Sequence, residues 1–378
     1  MRRSFIVCLA FSALVAVSAL AQGISLPPNG DNQKASVTQY IGPVAVIIDY
    51  HSPDVHAPNG DDRRGKIWGT LVPWGTIDDP FGTCTECPWR GGANENTTLT
   101  VSHDVKVQGQ PLKAGRYGLH LIPAEQGDWT LVLSNNSTSW GSFFYDVAED
   151  ALRVKVTPAK SEYHEWLTYE FTDRQPSQAT AALKWEDLQI PWTIQVDDVT
   201  GLYLTKIRQE LRDSPGFNSQ NWVAAAQYAL QAKRPGDALE LADAAVNRTF
   251  IGEANFQTLN TLAMAQEAAG KTADATATRE RAMNHPTATA VDLHQYGRQL
   301  LAQGKKADAL RIWELNAKRN PNVWPVHVGL ARGYSANGRY KEALKEAKLA
   351  LAQAPDDVNK KSLAEGIAKL EAGKDMNQ

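Results

Sequence analysis

The sequence predicts an α+β multidomain protein, in which an antiparallel β-sandwich precedes an all-α solenoid of paired helices. Residues 24–197 contain short runs in which apolar and polar side chains alternate with period two, as in half-buried strands. Residues 217–375 instead show helical periodicity and a repeat of 34 residues. A chain of 378 residues is also too long for one ordinary hydrophobic core.

The N-terminal segment, residues 1–21, has the composition of a secretory signal peptide. Arg2 and Arg3 precede an apolar run, and Ala19 and Ala21 supply the small side chains needed for cleavage after Ala21. The run is too short to span a bilayer, and no later segment reaches the roughly 18 apolar residues that a span requires. We therefore expect a periplasmic or secreted protein with no membrane span after signal removal.

The charge and composition of the chain exclude several classes of partner. Removing the signal peptide takes away two arginines and no acidic residue, which moves the formal net charge from −3 to −5. A mildly acidic chain without a basic block is a poor candidate for binding nucleic acid or anionic membranes. Apolar residues make up 43% of the chain and charged residues 21%, as in a globular protein, and we expect no cofactor.

The front half predicts short strands without intervening helices, which favours an antiparallel sandwich. Strands are expected within residues 36–41, 44–48, 67–72, 97–133, 151–156, 166–171, 180–185 and 192–196. Eight of the 11 tryptophans lie here, and we expect most of them to fill the core. The alternative is a sugar-stacking face, for which Trp74 and Trp89 are the candidates because they flank a polar loop.

A series of motifs in this half resembles the bacterial exported domain of unknown function 2911 (DUF2911). In order, the motifs are GKIWGTLVPWG at 65–75, WRGGANE at 89–95, LKAGRY at 112–117, WG at 140–141 with YD at 145–146, and LRVKV at 152–156. The resemblance covers roughly residues 35–197 and implies a β-sandwich without assigned chemistry. In such domains the first two motifs are nearly adjacent, whereas here residues 76–88 separate them.

Cys84 and Cys87 lie within this insertion. In an oxidising compartment we expect them to form a disulfide that stiffens the loop. Because the ring is small, the crosslink removes little entropy from the unfolded chain. Two alternatives stay open, a redox-active pair and a zinc site completed by His51 and His56 if their loop folds over the cysteines.

The polar loop at residues 89–95, called the site loop below, is the strongest candidate site in the sequence. Arg90, Asn94 and Glu95 are candidate ligand-binding residues, because arginine forms bidentate hydrogen bonds with carboxylates and glutamate can act as an acid or base. The alternative is that Arg90 and Glu95 only tie the loop to the sheet by ordinary hydrogen bonds.

A hydrolase acting on a glycan or peptide would use Glu95 as its catalytic acid or base. It would also need a second carboxylate or a histidine nearby, and the candidates from the neighbouring loop are Asp54, Asp61, Asp62 and His51. The sequence contains no Gly-x-Ser-x-Gly elbow and no complete His-Glu-x-x-His pattern, so neither signature supports the hydrolase hypothesis.

Helical periodicity begins after Val196, where alanine and leucine become frequent. Residues 201–212 predict a connecting helix within the linker segment 198–216. Beyond the linker, a glycine recurs every 34 residues, at Gly270, Gly304 and Gly338. This pattern resembles four tetratricopeptide repeats, each a helix pair, with Lys233 in place of the first turn glycine.

Small residues at equivalent positions predict close packing within each helix pair. In the first helices they are Ala226, Ala263, Gly297 and Ala331, and in the second helices Ala238, Ala275, Ala309 and Ala343. Residues 357–371 predict a final helix whose charged side chains solvate the open end of the stack.

The repeat register also predicts which side chains line the groove of the stack. Equivalent groove positions fall on Gln227, Met264, Arg298 and Arg332. The two arginines, on adjacent repeats, could hold a carboxylate or an acidic peptide. The alternative is that both arginines pair with acidic residues of neighbouring helices.

Taken together, these patterns favour an exported, non-enzymatic adaptor. Its helical repeats would hold a protein or peptide partner, while the sandwich binds a second ligand or acts as a platform. The alternatives are the hydrolase with its site at Arg90–Glu95 and a metal-binding protein that uses Cys84, Cys87 and the loop histidines.

Overall fold

A computed structural model describes residues 32–57 and 59–378 of the chain. The predicted signal peptide, residues 1–21, lies outside the described residues. The chain divides between Val199 and Thr200 into two compact units.

The first unit is built from antiparallel strands. Within the described residues these are β1 (Gln33–Ile41), β2 (Val44–Ser52), β3 (Thr98–Val101), β4 (Val105–Val107), β5 (Gln110–Leu112), β6 (Gly115–Ile122), β7 (Trp129–Ser134), β8 (Asp150–Val156), β9 (Ala159–Gln175) and β10 (Gln178–Gln195). One sheet has the order β1-β2-β3-β6-β7-β8 and the other β5-β4-β10-β9. In β2 every second side chain is buried, because successive side chains of a strand point to opposite faces.

Two of the sequence-predicted strands belong to one element of the structure. The predicted runs 180–185 and 192–196 overlap β10, which pairs with β9 over most of its length. The register shifts around Glu186, whose φ of +54° marks a β-bulge. The bulge lets the strand continue where the sequence suggested a break.

The strand predicted at residues 67–72 is wrong. This segment is a tight turn in which the Gly69 N–H donates to Val72 O at 2.8 Å and the Val72 N–H donates to Ile67 O at 2.8 Å. Gly69 has a φ of +83°, which a strand residue does not adopt. The turn nevertheless buries the side chains of Ile67 and Val72, which accounts for the apolar residues in the predicted pattern.

The tryptophans divide between the core and the surface. Trp129, Trp185 and Trp192 are fully buried, as predicted. The ring of Trp68 lies 5.3 Å from that of Trp129 and 5.8 Å from that of Trp185, so these rings form one cluster. The core prediction is wrong for Trp140 and Trp166, which are 50% and 42% exposed.

From Val199 onward the described chain is helical. The helices are α1 (Val199–Glu210), α2 (Ser219–Gln231), α3 (Pro235–Asn247), α4 (Phe256–Ala268), α5 (Thr272–Asn284), α6 (Ala290–Ala302), α7 (Lys306–Arg319), α8 (Trp324–Ala336), α9 (Tyr340–Ala352) and α10 (Asp357–Glu371). Helices α2 to α9 form four antiparallel pairs of consecutive helices, and α10 packs on α9. The first helices of neighbouring pairs also meet, α2 with α4 and α6 with α8, as in a tetratricopeptide-type solenoid.

The turn inside each pair needs a residue in the left-handed region. Gly270, Gly304 and Gly338 have φ values of +77°, +76° and +77°. In the first pair Lys233 adopts the same conformation, with a φ of +57°. Lys233 lies 37 residues before Gly270, as Ala226 lies 37 residues before Ala263, so the equivalent small residues identify the turn position where the glycine is missing.

The predicted small residues are buried at the helix contacts. Ala226, Ala263, Ala331 and all four alanines of the second helices are at most 1% exposed. Gly297 contacts the fully buried indole of Trp313, which also lies against Gly329 and Gly333 of α8. Glycines on two first helices thus make room for one large side chain from α7.

Candidate functional site

The site loop is fixed to the sheet at two points, Trp89 and Ala93. The Trp89 N–H donates to Leu121 O of β6 at 2.8 Å, and the Ala93 N–H donates to His51 O of β2 at 3.2 Å. Between them, Gly91 accepts a hydrogen bond from the buried hydroxyl of Tyr169 at 2.7 Å. A side chain at Gly91 would overlap that hydroxyl, so only glycine permits this approach.

A cleft of 410 Å³ opens beside the site loop. Its lining includes Trp89, Arg90 and Asn94 from the predicted site, together with residues of the insertion such as Ile77, Asp79 and Cys87. Trp74 and Glu95 are not among the lining residues; Trp74 packs its ring 6.2 Å from Trp129 instead. The structure therefore brings part of the predicted site together in one cleft.

Arg90 is half-buried, and its guanidinium is held in a defined position. Nη1 donates to Asn94 O at 2.5 Å, Cζ lies 5.0 Å from the centre of the Phe143 ring, and the group contacts Gly141. Burial lowers the pKa of Arg90, and the carboxylate of Asp79 partly offsets this effect. No carboxylate of the described residues lies within 4.0 Å of the guanidinium.

His120, a buried residue near Arg90, was not anticipated from the sequence. Burial, and then the positive charge of Arg90, lower the pKa of His120 to about 4. Its Nδ1 lies 3.1 Å from the hydroxyl of Ser142, which lines the cleft. A single histidine inside a strand gives no pattern from which this position could be inferred.

Glu95 has a histidine partner outside the cleft lining. The Oε2 atom of Glu95 lies 3.2 Å from Nε2 of His51, the Glu95 side chain is 54% exposed and that of His51 is 13% exposed. The buried Nδ1 of His51 has no hydrogen-bond partner among the described residues. One of the candidate hydrolase partners is thus within reach of Glu95.

The three candidate aspartates make other contacts. Asp54 lies 3.9 Å from Arg63, and Asp61 accepts from Asn59 at 2.8 Å. Asp62 pairs with Arg64 at 2.6 Å. The second-carboxylate part of the hydrolase hypothesis therefore has no counterpart in these contacts.

The sulfur atoms of Cys84 and Cys87 are in contact, with Cα atoms 5.5 Å apart, a separation that a disulfide can bridge. His51 pairs with Glu95, and His56 lies 2.8 Å from Glu165, so these contacts do not bring the histidines to the sulfurs. The described residues contain no group of three or more His, Cys, Asp and Glu side chains arranged to hold a metal ion.

The predicted groove residues occupy the first helices of the four pairs. Gln227, Met264 and Arg298 are exposed, whereas Arg332 is partly buried. The predicted alternative, pairing with neighbouring acidic residues, is not seen: no ion pair of Arg298 or Arg332 is found in the described part of the chain. Burial lowers the pKa of Arg332, and the charge of Arg298 lowers it further, so the two cations lie close enough to repel each other.

The last residues of the chain, 375–378, return to α8. The Ser335 hydroxyl donates to Asp375 Oδ1 at 2.7 Å and accepts from the Met376 N–H at 2.9 Å. Asn377 donates from Nδ2 to Arg332 O at 3.0 Å. Burial raises the pKa of Asp375, but the hydrogen bonds from Ser335 and Asn377 outweigh it and lower the pKa overall. The chain thus places its own carboxylate beside Arg332.

Residues 32–194 match the family model described as a protein of unknown function, DUF2911. The resemblance expected from the motifs is confirmed, and the chain carries a DUF2911 domain followed by tetratricopeptide-like repeats. No curated protein matches this sequence. Within the described residues, no helix is both long and apolar enough to cross a membrane.

Several solved structures are similar to part of the chain. MamA is 18% identical, with 40% of this chain and 85% of that chain covered and a TM-score of 0.29. A thermophilic TPR protein of Thermus thermophilus is 21% identical, with 45% and 89% covered and a TM-score of 0.31. Pseudomonas aeruginosa pilF is 17% identical, with 47% and 82% covered and a TM-score of 0.32.

Proposed function

We propose that this chain is an exported, non-enzymatic adaptor whose helical repeats hold an acidic protein or peptide partner. The β unit serves as a second binding module. The proposal rests mainly on one observation: Arg298 and Arg332 lie at equivalent positions on the first helices α6 and α8, and neither forms an ion pair among the described residues.

An unpaired cation that is partly withdrawn from water gains free energy when an anion approaches it. Arg298 presents its side chain on the surface, and Arg332 lies deeper beside it. The carboxylate of Asp375 raises the pKa of Arg332, and a carboxylate of a partner would act in the same direction. A partner with two or more carboxylates would satisfy both arginines.

The C-terminal residues limit access to the deeper arginine. Asp375 and Asn377 hold Ser335 and Arg332 through hydrogen bonds. Met376 packs against the apolar cluster formed by Ala331, Ala343, Ala347 and Leu370. A partner that engages both arginines must displace this segment. We expect truncation after Lys374 to strengthen partner binding.

The adaptor proposal is tested by affinity capture with the full chain and a charge-reversed variant. The groove variant carries Arg298→Glu and Arg332→Glu. The control variant carries Arg281→Glu and Lys341→Glu, which reverse two exposed cations on the second helices α5 and α9. We expect the control to retain the proteins that the wild type retains and the groove variant to lose them. An unchanged set of captured proteins in the groove variant would remove the arginine pair from the proposal.

Export and the crosslink belong to the same proposal. Residues 1–21 have signal-peptide composition, and the contact between the sulfurs of Cys84 and Cys87 suits an oxidising compartment. Fractionation of cells that express the full chain, with N-terminal sequencing of the product, tests export. A mature protein that begins at Gln22 supports it, and an uncleaved cytoplasmic protein refutes it.

A second candidate function is hydrolysis at the His51–Glu95 pair. The distance of 3.2 Å allows the histidine to position the glutamate as an acid or base. Turnover of chromogenic glycosides and of peptide amides by the wild type, lost in Glu95→Gln, would support this function. Equal rates in the two proteins would eliminate it.

A further inference from the structure

The cleft beside the site loop has mostly apolar walls. Leu71 and Ile77 contribute large apolar side chains that are 48% and 41% exposed, and Pro73, Pro88 and Trp89 extend the same surface. A volume of 410 Å³ is near the lower end of the range for small-molecule sites, about 300 to 1,000 Å³. The shape therefore suits a small molecule with an apolar body.

Arg90 gives this cleft a cation with free hydrogen-bond donors. Its Nη1 atom is used by Asn94 O, whereas Nε and Nη2 have no hydrogen bond or ion pair within the described part of the chain. Contacts with Phe143 and Gly141 hold the plane of the group. Two parallel N–H donors on a fixed plane match the two oxygens of a carboxylate.

Trp185 supplies a second donor without a partner. It lines the cleft and is only 1% exposed, yet its indole N–H makes no hydrogen bond among the described residues. A buried donor without a partner costs free energy, so a ligand whose polar group reached this N–H would be stabilised by it.

The charges around the cleft favour a ligand with a single negative charge. Arg63, the other lining arginine, lies 3.9 Å from the carboxylate of Asp54. Asp79 also lines the cleft and repels a second negative charge near Arg90. One cation is therefore available, which suits a monocarboxylate better than a doubly charged phosphate.

We propose that this cleft binds a small organic acid, with the carboxylate on Arg90 and the apolar body against Leu71, Ile77 and Trp89. The inference deepens the proposed role of the β unit as a second binding module. It does not depend on the arginines of the helical groove, so either proposal can fail while the other stands.

The test uses the full chain with ¹⁵N-labelled tryptophan, in which Trp185→Phe assigns the Trp185 indole signal. The probes are phenylacetate, benzoate and octanoate, with phenylacetamide as the uncharged match and phenylphosphonate as the doubly charged one. We expect at least one carboxylate to shift the Trp185 signal saturably, and phenylacetamide to leave it unchanged.

Variants then assign the carboxylate contact. Losing a hydrogen-bonded charge pair weakens binding by about 10- to 100-fold, so Arg90→Gln should raise the Kd at least about tenfold. Arg116→Gln, which removes an exposed arginine of β6 that does not line the cleft, should leave the Kd unchanged. If Arg90→Gln changes the signals of the other tryptophans, Arg90→Lys is used in its place. Lysine keeps the positive charge but lacks the two parallel N–H donors of arginine. Arg90→Lys should therefore bind the acid more weakly than the wild type.

Three results would overturn the assignment. The first is that none of the three acids gives a saturable shift below about 10 mM. The second is an equal Kd in the wild type and the Arg90 variant. The third is that phenylphosphonate binds more tightly than phenylacetate. The same acids are also titrated into the double variant Arg298→Glu, Arg332→Glu. Unchanged binding there shows that the cleft and the helical groove are tested independently.

Discussion

Replacing Gly297 by alanine introduces a methyl group against the indole of Trp313. A Cβ atom at Gly297 would lie 2.9 Å from Cδ1 of Trp313 and closer still to Cε2 and Nε1, whereas carbon atoms prefer separations of about 3.5–4.0 Å. The indole cannot retreat. It is fully buried, it lies against Gly329 and Gly333 on α8, and its N–H donates to His294 O at 3.2 Å.

Two opposing effects set the magnitude. Overpacking of a closed core costs about 1–3 kcal/mol, and the enclosed indole argues for the upper end, about 3 kcal/mol. Alanine favours a helix over glycine by about 1 kcal/mol. We therefore expect Gly297→Ala to lower the free energy of unfolding of the helical unit by about 2 kcal/mol.

Urea unfolding followed by far-UV circular dichroism measures this change in the full chain, since the helices dominate that signal. At a typical dependence of about 2 kcal/mol per molar urea, the midpoint should fall by about 1 M. The matched control is Gly236→Ala in α3, where an added Cβ meets no atom within 4 Å and helix propensity alone should stabilise slightly. A Gly297→Ala protein as stable as the wild type would refute the glycine-lined packing of Trp313.

Three further predictions concern single positions. Lys233→Gly should stabilise the helical unit by about 0.5–1 kcal/mol in the same urea assay, because its φ of +57° strains a side chain but not glycine. Burial, together with the positive charges of Arg298 and Arg332, lowers the pKa of His294 from 6.5 to about 4, so as the pH falls the unfolded chain takes up the proton before the folded chain does. The free energy of unfolding should therefore fall as the pH drops from about 6.5 to 4. Urea midpoints measured against pH should show a smaller loss in His294→Gln. Thiol titration of the unreduced, denatured chain without residues 1–21 should find no free thiol if Cys84 and Cys87 form the disulfide, and two free thiols would contradict it.

Regular spacing explains why the helical fold was predictable. The 34-residue period locates the turn glycines at Gly270, Gly304 and Gly338. In the less regular first pair, Lys233 precedes Gly270 by 37 residues, as Ala226 precedes Ala263, so equivalent small residues identify this turn. In the β unit the alternation of apolar and polar residues predicted which side chains are buried, but it did not always predict which segments pair as strands. The alternating residues around Gly69 are buried by a turn and not by a strand, because two short backbone hydrogen bonds close the segment locally.

The candidate site was predictable only in part, because it depends on contacts between distant segments. The motif at residues 89–95 identifies Arg90 and Asn94, but the other wall of the cleft comes from the insertion, and its position follows from the bonds of Thr83 and Cys84 to Phe143 O. Nothing local in the sequence links His120 to Arg90 or Asp375 to Ser335. These pairs are far apart in the chain and are brought together only by folding.

Site-specific photocrosslinking tests most directly whether the helical groove holds the partner. A photoreactive phenylalanine analogue is placed at Gln227 or Met264, exposed on first helices, and at Arg281, exposed on the second helix α5. The account predicts a partner crosslink from Gln227 or Met264 and none from Arg281. Crosslinks confined to Arg281 would show that the partner binds the other helices and would contradict the groove assignment.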